Sequence, residues 1–419
     1  MRPKVQKSIF LILFFILLSF PSFGEEMNGD ILTLKDALQI AYDNNPQMIV
    51  ARKSIDAAKG DLITTKTLAN PELEFEIGGL KKNEEGERRA NLGTVGIKQD
   101  FDPPGVYWLK GKIAQNEVTI GEESLKAVWS AVYLDVREVY VKNVLDKKEL
   151  ELTNSNLNSM RQFFSNVQIR FQSGQALKND LQRAKIELLK AENDYLSAQK
   201  ELLTAKARLN LALGRFLDND FDIVEELKEE ELNMTFEDIR AIGFKNRPDV
   251  KMAELALDVK RKNLIKEHLN RLPSYYAGFK RINEEGRDDY AVLVGVSIPL
   301  WNLNQGEVKK AKAERDIQQQ RVITTKDQAT IEIYEAYLTA DLRHKQLDIA
   351  KRSLEEADEL LRLANLRYSE GKIDFLNYLD QIKAATQSKV NYYQALFNLS
   401  RSISELEVFL AQSLRQEDF

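Results

Sequence analysis

The sequence predicts a mainly helical protein with a small β part, built from two copies of one substructure. Leu34 to Pro46 returns as Phe236 to Pro248, and the same offset relates Pro71 to Pro273. A repeat of this length is a whole substructure copied, rather than the roughly 20 to 50 residue unit of a solenoid. Matched positions also occur deeper in each copy, where Arg170, Phe171 and Gly174 return as Arg367, Tyr368 and Gly371.

The helical part is indicated by a long hydrophobic seam that occurs twice. From Leu181 to Ala212 large and small residues alternate at steps of three and four, and Tyr378 to Phe409 repeats the pattern. This spacing is typical of a coiled coil, and small residues let neighbouring helix backbones approach closely. Proline-free helical patterns also run from Gly105 to Ser173 and from Asn304 to Glu370. At about 1.5 Å per residue, each forms a rod of roughly 100 Å.

The β part is confined to two predicted hairpins, at 71–101 and 273–300. In both, apolar residues alternate with polar or small ones over strands of about ten residues, which fits strands between lipid and a water-filled lumen. Because the smallest single-chain outer-membrane barrels have about eight strands and open edges cannot face lipid, four strands require several chains to close a barrel. A soluble coiled-coil scaffold capped by the two hairpins is the alternative.

Residues 1–24 are predicted to be a cleaved secretory signal, with a basic start, an apolar stretch from Ile9 to Phe20 and small residues near Gly24. A single transmembrane anchor is the alternative, although the apolar stretch is shorter than the roughly 20 residues that a spanning helix needs. The first repeat is then assigned to 25–220 and the second to 221–419.

The composition excludes several classes of protein. With 419 residues, 43% of them hydrophobic, the chain can form an extensive core. The absence of cysteine excludes disulfides, thiolate metal sites and lipid attachment at an amino-terminal cysteine. The formal net charge of −5 argues against binding to nucleic acid. His268 and His344 stand apart without companion ligands, and no nucleophile or phosphate-binding motif occurs, so neither a metal site nor an enzyme is expected.

Together with the repeated motifs, Asn70-Pro71-Glu72-Leu73 and the stretch from Ile298 to Gly306 make the mature chain resemble the TolC family of outer-membrane efflux ducts. It is most similar to the CzcC branch, which serves heavy-metal cation efflux. The resemblance implies a homotrimer with a shared twelve-stranded β-barrel in outer-membrane lipid and a coiled-coil helical barrel that extends into the periplasm. It also implies a periplasmic adaptor, an inner-membrane pump of the RND type or an ATP-driven one, no cofactor and no catalysis. Organic solutes remain open as the cargo.

The resemblance also implies where the functional residues lie. The tips of the helical hairpins are the periplasmic entrance and the surface that docks the adaptor. The matching residues are Arg170, Phe171, Gly174, Arg367, Tyr368 and Gly371. The alternative is a local role only, in which each glycine ends a helix and each arginine favours its carboxyl end.

Just past the second tip, the family has a pair of inward-facing acids that constrict the pore. Asp380 matches one acid of the pair, but Asn377 stands in place of the other; in the first copy the matching residues are Asp180 and Arg183. A ring of such acids favours cations, and stabilisation of a helix amino end is the alternative role.

Two sets of strand residues complete the predicted sites. Glu72, Glu74 and Glu76 are expected to line the lumen with negative charge, with an ordinary exposed face as the alternative. Aromatic residues flank the strands as a belt at the lipid boundary does, with core packing as the alternative role: Phe101, Tyr275, Tyr276, Tyr290 and Trp301.

Overall fold

The computed structural model describes residues 31–82, 88–229, 246–284 and 287–410, together with 237 and 239. The predicted signal at 1–24 and most of the repeated opening helix after Phe236 lie outside the described residues. The helices are α1 (Leu34–Asn44), α2 (Pro46–Thr65), α3 (Val106–Gln172), α4 (Lys178–Ala212), α5 (Pro248–Leu269), α6 (Gln305–Ser369) and α7 (Phe375–Leu410). The strands are β1 (Glu72–Lys82), β2 (Arg88–Phe101), β3 (Ser274–Glu284) and β4 (Arg287–Ser297).

The two predicted rods are confirmed as α3 and α6, which have 67 and 65 residues. Each rod reverses at its end and pairs with a return helix, α3 with α4 and α6 with α7. Helices of this length span roughly 100 Å, so each hairpin separates its tip widely from the strands at its other end. None of the described helices combines the length and the apolar character that crossing a membrane requires.

The predicted seam is confirmed by the burial of its small residues. Around Ala191, the return helix α4 meets Leu157 and Met160 of α3 and Leu379 of α7 in one cluster. Alanine at such positions lets the helix axes approach closely, as ridges pack into grooves. All the seam alanines of α4 are buried: Ala184, Ala191, Ala198, Ala205 and Ala212.

The four strands form one antiparallel sheet in the order β1-β2-β3-β4, so the hairpins of the two copies are joined by the pairing of β2 with β3. Leu73, Ile97 and Phe279 lie opposite one another in a cross-strand row, which places the alternating apolar residues of all strands on one face. The second hairpin was predicted to reach residue 300, but β4 ends at Ser297. Pro299 follows closely and has no N–H to donate to a sheet ladder.

The connector after α4 belongs to the core of both copies. The N–H of Leu32 donates to the carbonyl oxygen of Asp222 (2.9 Å). Phe221 and Ile223 are buried among residues of α1, α3 and α4, whereas Leu227 packs against the core of α6 and α7. The junction assigned at 220 and 221 therefore lies within a packed segment that ties the copies together.

Gly214 is a position where the backbone of the first copy leaves no room for a side chain. It has a φ of +71° after α4, and a Cβ there would lie 2.6 Å from the carbonyl oxygen of Asn44, which is backbone. We predict that Gly214→Ala lowers the free energy of unfolding by about 2 kcal/mol, because backbone strain and overlap act together. The measurement is the thermal unfolding midpoint in detergent.

Gly60→Ala is the matched control, because Gly60 lies inside α2 and a Cβ there meets nothing within 4 Å. Alanine in a helix interior is more favourable than glycine by about 1 kcal/mol, so the midpoint should rise or stay. Equal losses in both variants would contradict the role given to Gly214.

Candidate functional site

Both hairpin tips end their long helix in the same way. The glycine has a positive φ, +74° at Gly174 and +71° at Gly371. The N–H of the following residue donates back to the carbonyl oxygen of Arg170 (2.7 Å) in the first tip and of Arg367 (2.8 Å) in the second. This is the Schellman arrangement, in which a left-handed residue satisfies the last carbonyls of a helix. The expected local role of the tip glycines is therefore confirmed.

The fold brings the two tips of one chain together through aromatic side chains. The rings of Tyr368 on α6 and Tyr378 on α7 stack with centroids 4.3 Å apart and an interplanar angle of 3°. Phe163 of α3 lies 5.8 Å from the Tyr378 ring. The guanidinium of Arg170, from the first tip, lies 5.2 Å from the Tyr368 centroid. A cation over an aromatic face is attracted by the ring quadrupole, so Arg170 links the two copies.

The environment of this aromatic cluster keeps its phenols neutral. Burial raises the pKa of both Tyr368 and Tyr378 above the ordinary phenol value. The Tyr378 hydroxyl donates to Oδ1 of Asn365 (2.7 Å). Both tyrosines are therefore hydrogen-bonding and stacking groups at physiological pH, with no charge of their own.

Beyond the predicted residues, the tips expose apolar side chains. Leu177 is 71% exposed and Ile169 is 61% exposed, beside Phe171 at the first tip; Leu366 and Leu376 are exposed near the second. These leucines, Ile169 and the stacked Tyr378 were missed as tip residues in the sequence. All of them lie within about one or two helical turns of a tip glycine. That proximity in the sequence could have identified them, because residues so close to a chain reversal lie on the surface of the tip.

Of the predicted constriction residues, Asp180 and Asn377 take part in hydrogen bonds that cap helix starts, and Asp380 is an exposed acid. Asp180 accepts from the N–H of Leu177 (3.2 Å) at the start of α4, whereas in the second copy the N–H of Asn377 donates to Asp374 (2.8 Å) at the start of α7. These are the two halves of a capping box, one half in each copy. Asp380 lies in the second turn of α7 and is exposed.

Glu72, Glu74 and Glu76 all lie on one face of the sheet and are exposed. Lys98 shares that face, because it lies directly opposite Glu72. Tyr276 also lies on this polar face, since it is paired with Asp100. Its predicted place in an aromatic belt beside Tyr275 is therefore wrong, because consecutive strand residues point to opposite faces.

The other face of the sheet is apolar and largely uncovered within one chain. Ile77 and Val292 are 79% and 78% exposed, and Phe75 and Val294 are similarly open. A contiguous apolar surface of this kind marks contact with lipid or with another protein.

Comparison with known proteins identifies this architecture. A sequence model described as outer membrane efflux protein matches residues 37–215 and 244–412. The chain belongs to the outer membrane efflux protein family. This finding confirms the resemblance drawn from the motifs, and with it the function of an outer-membrane efflux protein.

Individual relatives are distant in sequence and cover nearly the whole chain. The cobalt-zinc-cadmium resistance protein CzcC of Cupriavidus metallidurans is 20% identical over 402 residues, which span 91% of this chain and 92% of that protein. The CmeC outer membrane channel of Campylobacter jejuni matches with a TM-score of 0.78 at 16% identity, over 100% of this chain and 95% of that one. The open-state MtrE outer membrane channel of Neisseria gonorrhoeae gives 0.78 at 17% identity, over 92% and 90%. The fold is thus that of outer membrane channels.

Within the described parts of the chain, no group of three or more histidine or acidic residues is arranged to hold a metal ion. Of the two histidines, His268 lies in the last turn of α5 and His344 in the middle of α6.

We predict that Arg170→Gln loosens the first tip, because it removes the cation from the Tyr368 ring. Such contacts contribute about 0.5–1 kcal/mol at exposed sites, so hydrogen exchange at the Gly174 and Gln175 amides should speed up about two- to fivefold. Exchange measured by mass spectrometry on the detergent-solubilised protein provides the test.

Arg367→Gln is the matched control from the other copy. The Arg367 side chain is exposed, and no ring or carboxylate among the described residues pairs with it. Exchange at Gly371 and Lys372 should therefore stay unchanged. Identical acceleration in both variants would show that loss of charge near a helix end, rather than the ring contact, controls the tip.

Proposed function

We propose that three copies of this chain form the outer-membrane exit duct of a three-part efflux system. The duct is passive: its sheets line the passage through the outer membrane, and its long helices extend that passage into the periplasm. Its tips engage a periplasmic adaptor, which connects it to an inner-membrane pump of the RND or ATP-driven type.

The observation that carries this function is the open sheet with an apolar outer face. β1 and β4 are the two edge strands of the sheet. Each of them therefore has one side without a pairing strand from its own sheet. In a bilayer, unpaired strand edges cost several kcal/mol per polar group. Pairing β4 of one copy with β1 of the next satisfies both edges, and three copies give twelve strands, within the range of outer-membrane barrels.

The cargo we propose is heavy-metal cations. CzcC is a cobalt-zinc-cadmium resistance protein by name, and the exposed row Glu72, Glu74 and Glu76 provides negative charge on the polar sheet face. Clefts lined by one sign of charge raise the local concentration of counter-ions. Organic solutes are the competing cargo, because selection in such a system rests with the pump.

Cell fractionation and growth tests examine the location of the protein, its trimeric assembly and its cargo. The protein should be recovered with the outer membrane and run as a trimer in mild detergent. A strain that lacks it should become sensitive to zinc, cobalt or cadmium salts rather than to organic dyes. Recovery of a monomer in the soluble periplasmic fraction would favour a coiled-coil scaffold instead.

We predict that Gly371→Ala and Arg367→Gln abolish most export while trimers still form. An alanine at Gly371 is strained at positive φ without meeting any neighbour, so it distorts the tip and leaves the rest of the fold intact. Export is measured as resistance of the complemented strain, with Gly60→Ala as the folded control. Full resistance in both tip variants would remove the adaptor-docking role from the second tip.

We predict that Asp380→Asn lowers the cation preference of the duct, because Asp380 is exposed and three copies surround the axis at the periplasmic end. The expected fall in the cation-to-anion permeability ratio is about twofold at moderate salt. Reversal potentials across planar bilayers measure it. Asp180→Asn should change the ratio less, since Asp180 is engaged by the Leu177 N–H; the opposite order would reassign the constriction to the first copy.

A further inference from the structure

One lysine occupies the acidic face of the sheet at the end next to the helices. Lys98 lies near the end of β2, directly before the turn to α3, and opposite Glu72, the first residue of β1. Its Nζ lies 3.2 Å from Asp100 and 3.9 Å from Glu72. One ammonium group therefore faces two carboxylates at the base of the sheet.

An aromatic ring supports this ammonium group. Nζ of Lys98 lies 5.1 Å from the centroid of the Tyr276 ring, on the neighbouring strand β3. The Lys98 side chain is only 29% exposed. A cation held over a ring and beside two carboxylates is restricted in position more strongly than a surface lysine with a single partner.

A glycine on the edge strand makes room for that ring. Gly295 of β4 is paired with Tyr276, and a Cβ at Gly295 would overlap the Tyr276 ring. The ring therefore covers Gly295, as aromatic side chains do at glycines in a sheet. Lys98 stands above this ring, on the side of the sheet away from the apolar face.

We propose that Lys98 is the counter-charge that limits the cation preference of the duct where its strand-lined lumen meets the helices. This assignment rests on the proposed function, because it requires that the polar sheet face lines a closed pore. Three copies place three ammonium groups around the axis and offset Glu72 and Asp100 at that level. Glu74 and Glu76 lie farther from the helices along β1, where Lys280 shares the cross-strand row of Glu74 through Gly96, so Lys98 offsets the acids at its own level only.

The test compares ion selectivity in planar bilayers for the unchanged trimer and two single variants. Lys98→Gln should raise the cation-to-anion permeability ratio about twofold in a potassium chloride gradient, because one positive charge per subunit is lost from the polar face of the sheet. Arg281→Gln is the matched control: Arg281 lies on the opposite face of the same sheet and pairs with Asp288 (2.6 Å). Its reversal potential should equal that of the unchanged protein.

Asp100→Asn provides a second variant with the opposite sign, since it removes an acid from the same cluster and should lower the ratio. Channels with unchanged selectivity in both Lys98→Gln and Asp100→Asn would overturn the assignment of Lys98 while leaving the duct intact. If Arg281→Gln alone shifted the reversal potential, the face of Arg281 would have to line the pore instead. That result would also overturn the assignment of Lys98. If the unchanged protein forms no channels, the proposed duct function is contradicted, and so is the proposed role of Lys98.

Discussion

Close packing of the return helices against the long rods is the constraint on which the rest of the structure depends. Alanine at Ala184, Ala191, Ala198 and Ala205 lets α4 lie directly along its neighbours, and the larger seam residues fill the grooves between. Without this approach, two helices of more than sixty residues each would expose an apolar stripe along their whole length. The rods in turn fix the distance between the sheet and the tips, so the two functional ends of the chain are positioned by one repeated contact.

The two copies share one helical framework but differ in the contacts at the ends of their helices. Both long helices end in the same Schellman turn, yet Asp180 and Asp374 cap the return helices from opposite halves of a capping box. The residues before the copied prolines also differ. Asn45 donates to the carbonyl oxygen of Ala212 (2.8 Å), whereas Arg247 reaches the carboxylate of Glu332 on α6 (2.6 Å). The copies are therefore equivalent as scaffolds but differ in the groups that they present.

Charge on the polar face of the sheet is arranged by strand. The acids of β1 stand in one row at alternate positions, while Lys98 stands opposite the first of them on β2. Because surface charges farther apart than about 10 Å are largely screened at moderate salt, the local arrangement decides what a passing ion meets, rather than the net charge of the chain. The tips also differ locally: both arginines are exposed, but Arg170 lies over the Tyr368 ring, whereas no ring among the described residues pairs with Arg367.

The sequence by itself determined the periodic features: the duplication, both rods to within a residue, the alanine seam, the two hairpins and the glycine stops, because each is encoded in local spacing or local backbone preference. It also identified the family through the order of its motifs. Only the tertiary structure decided which side chains from distant parts of the chain meet. The stack of Tyr368 on Tyr378 under Arg170, and Lys98 over the Tyr276 ring at Gly295, join different helices or strands. Such contacts depend on strand register and helix pairing, which no local pattern specifies.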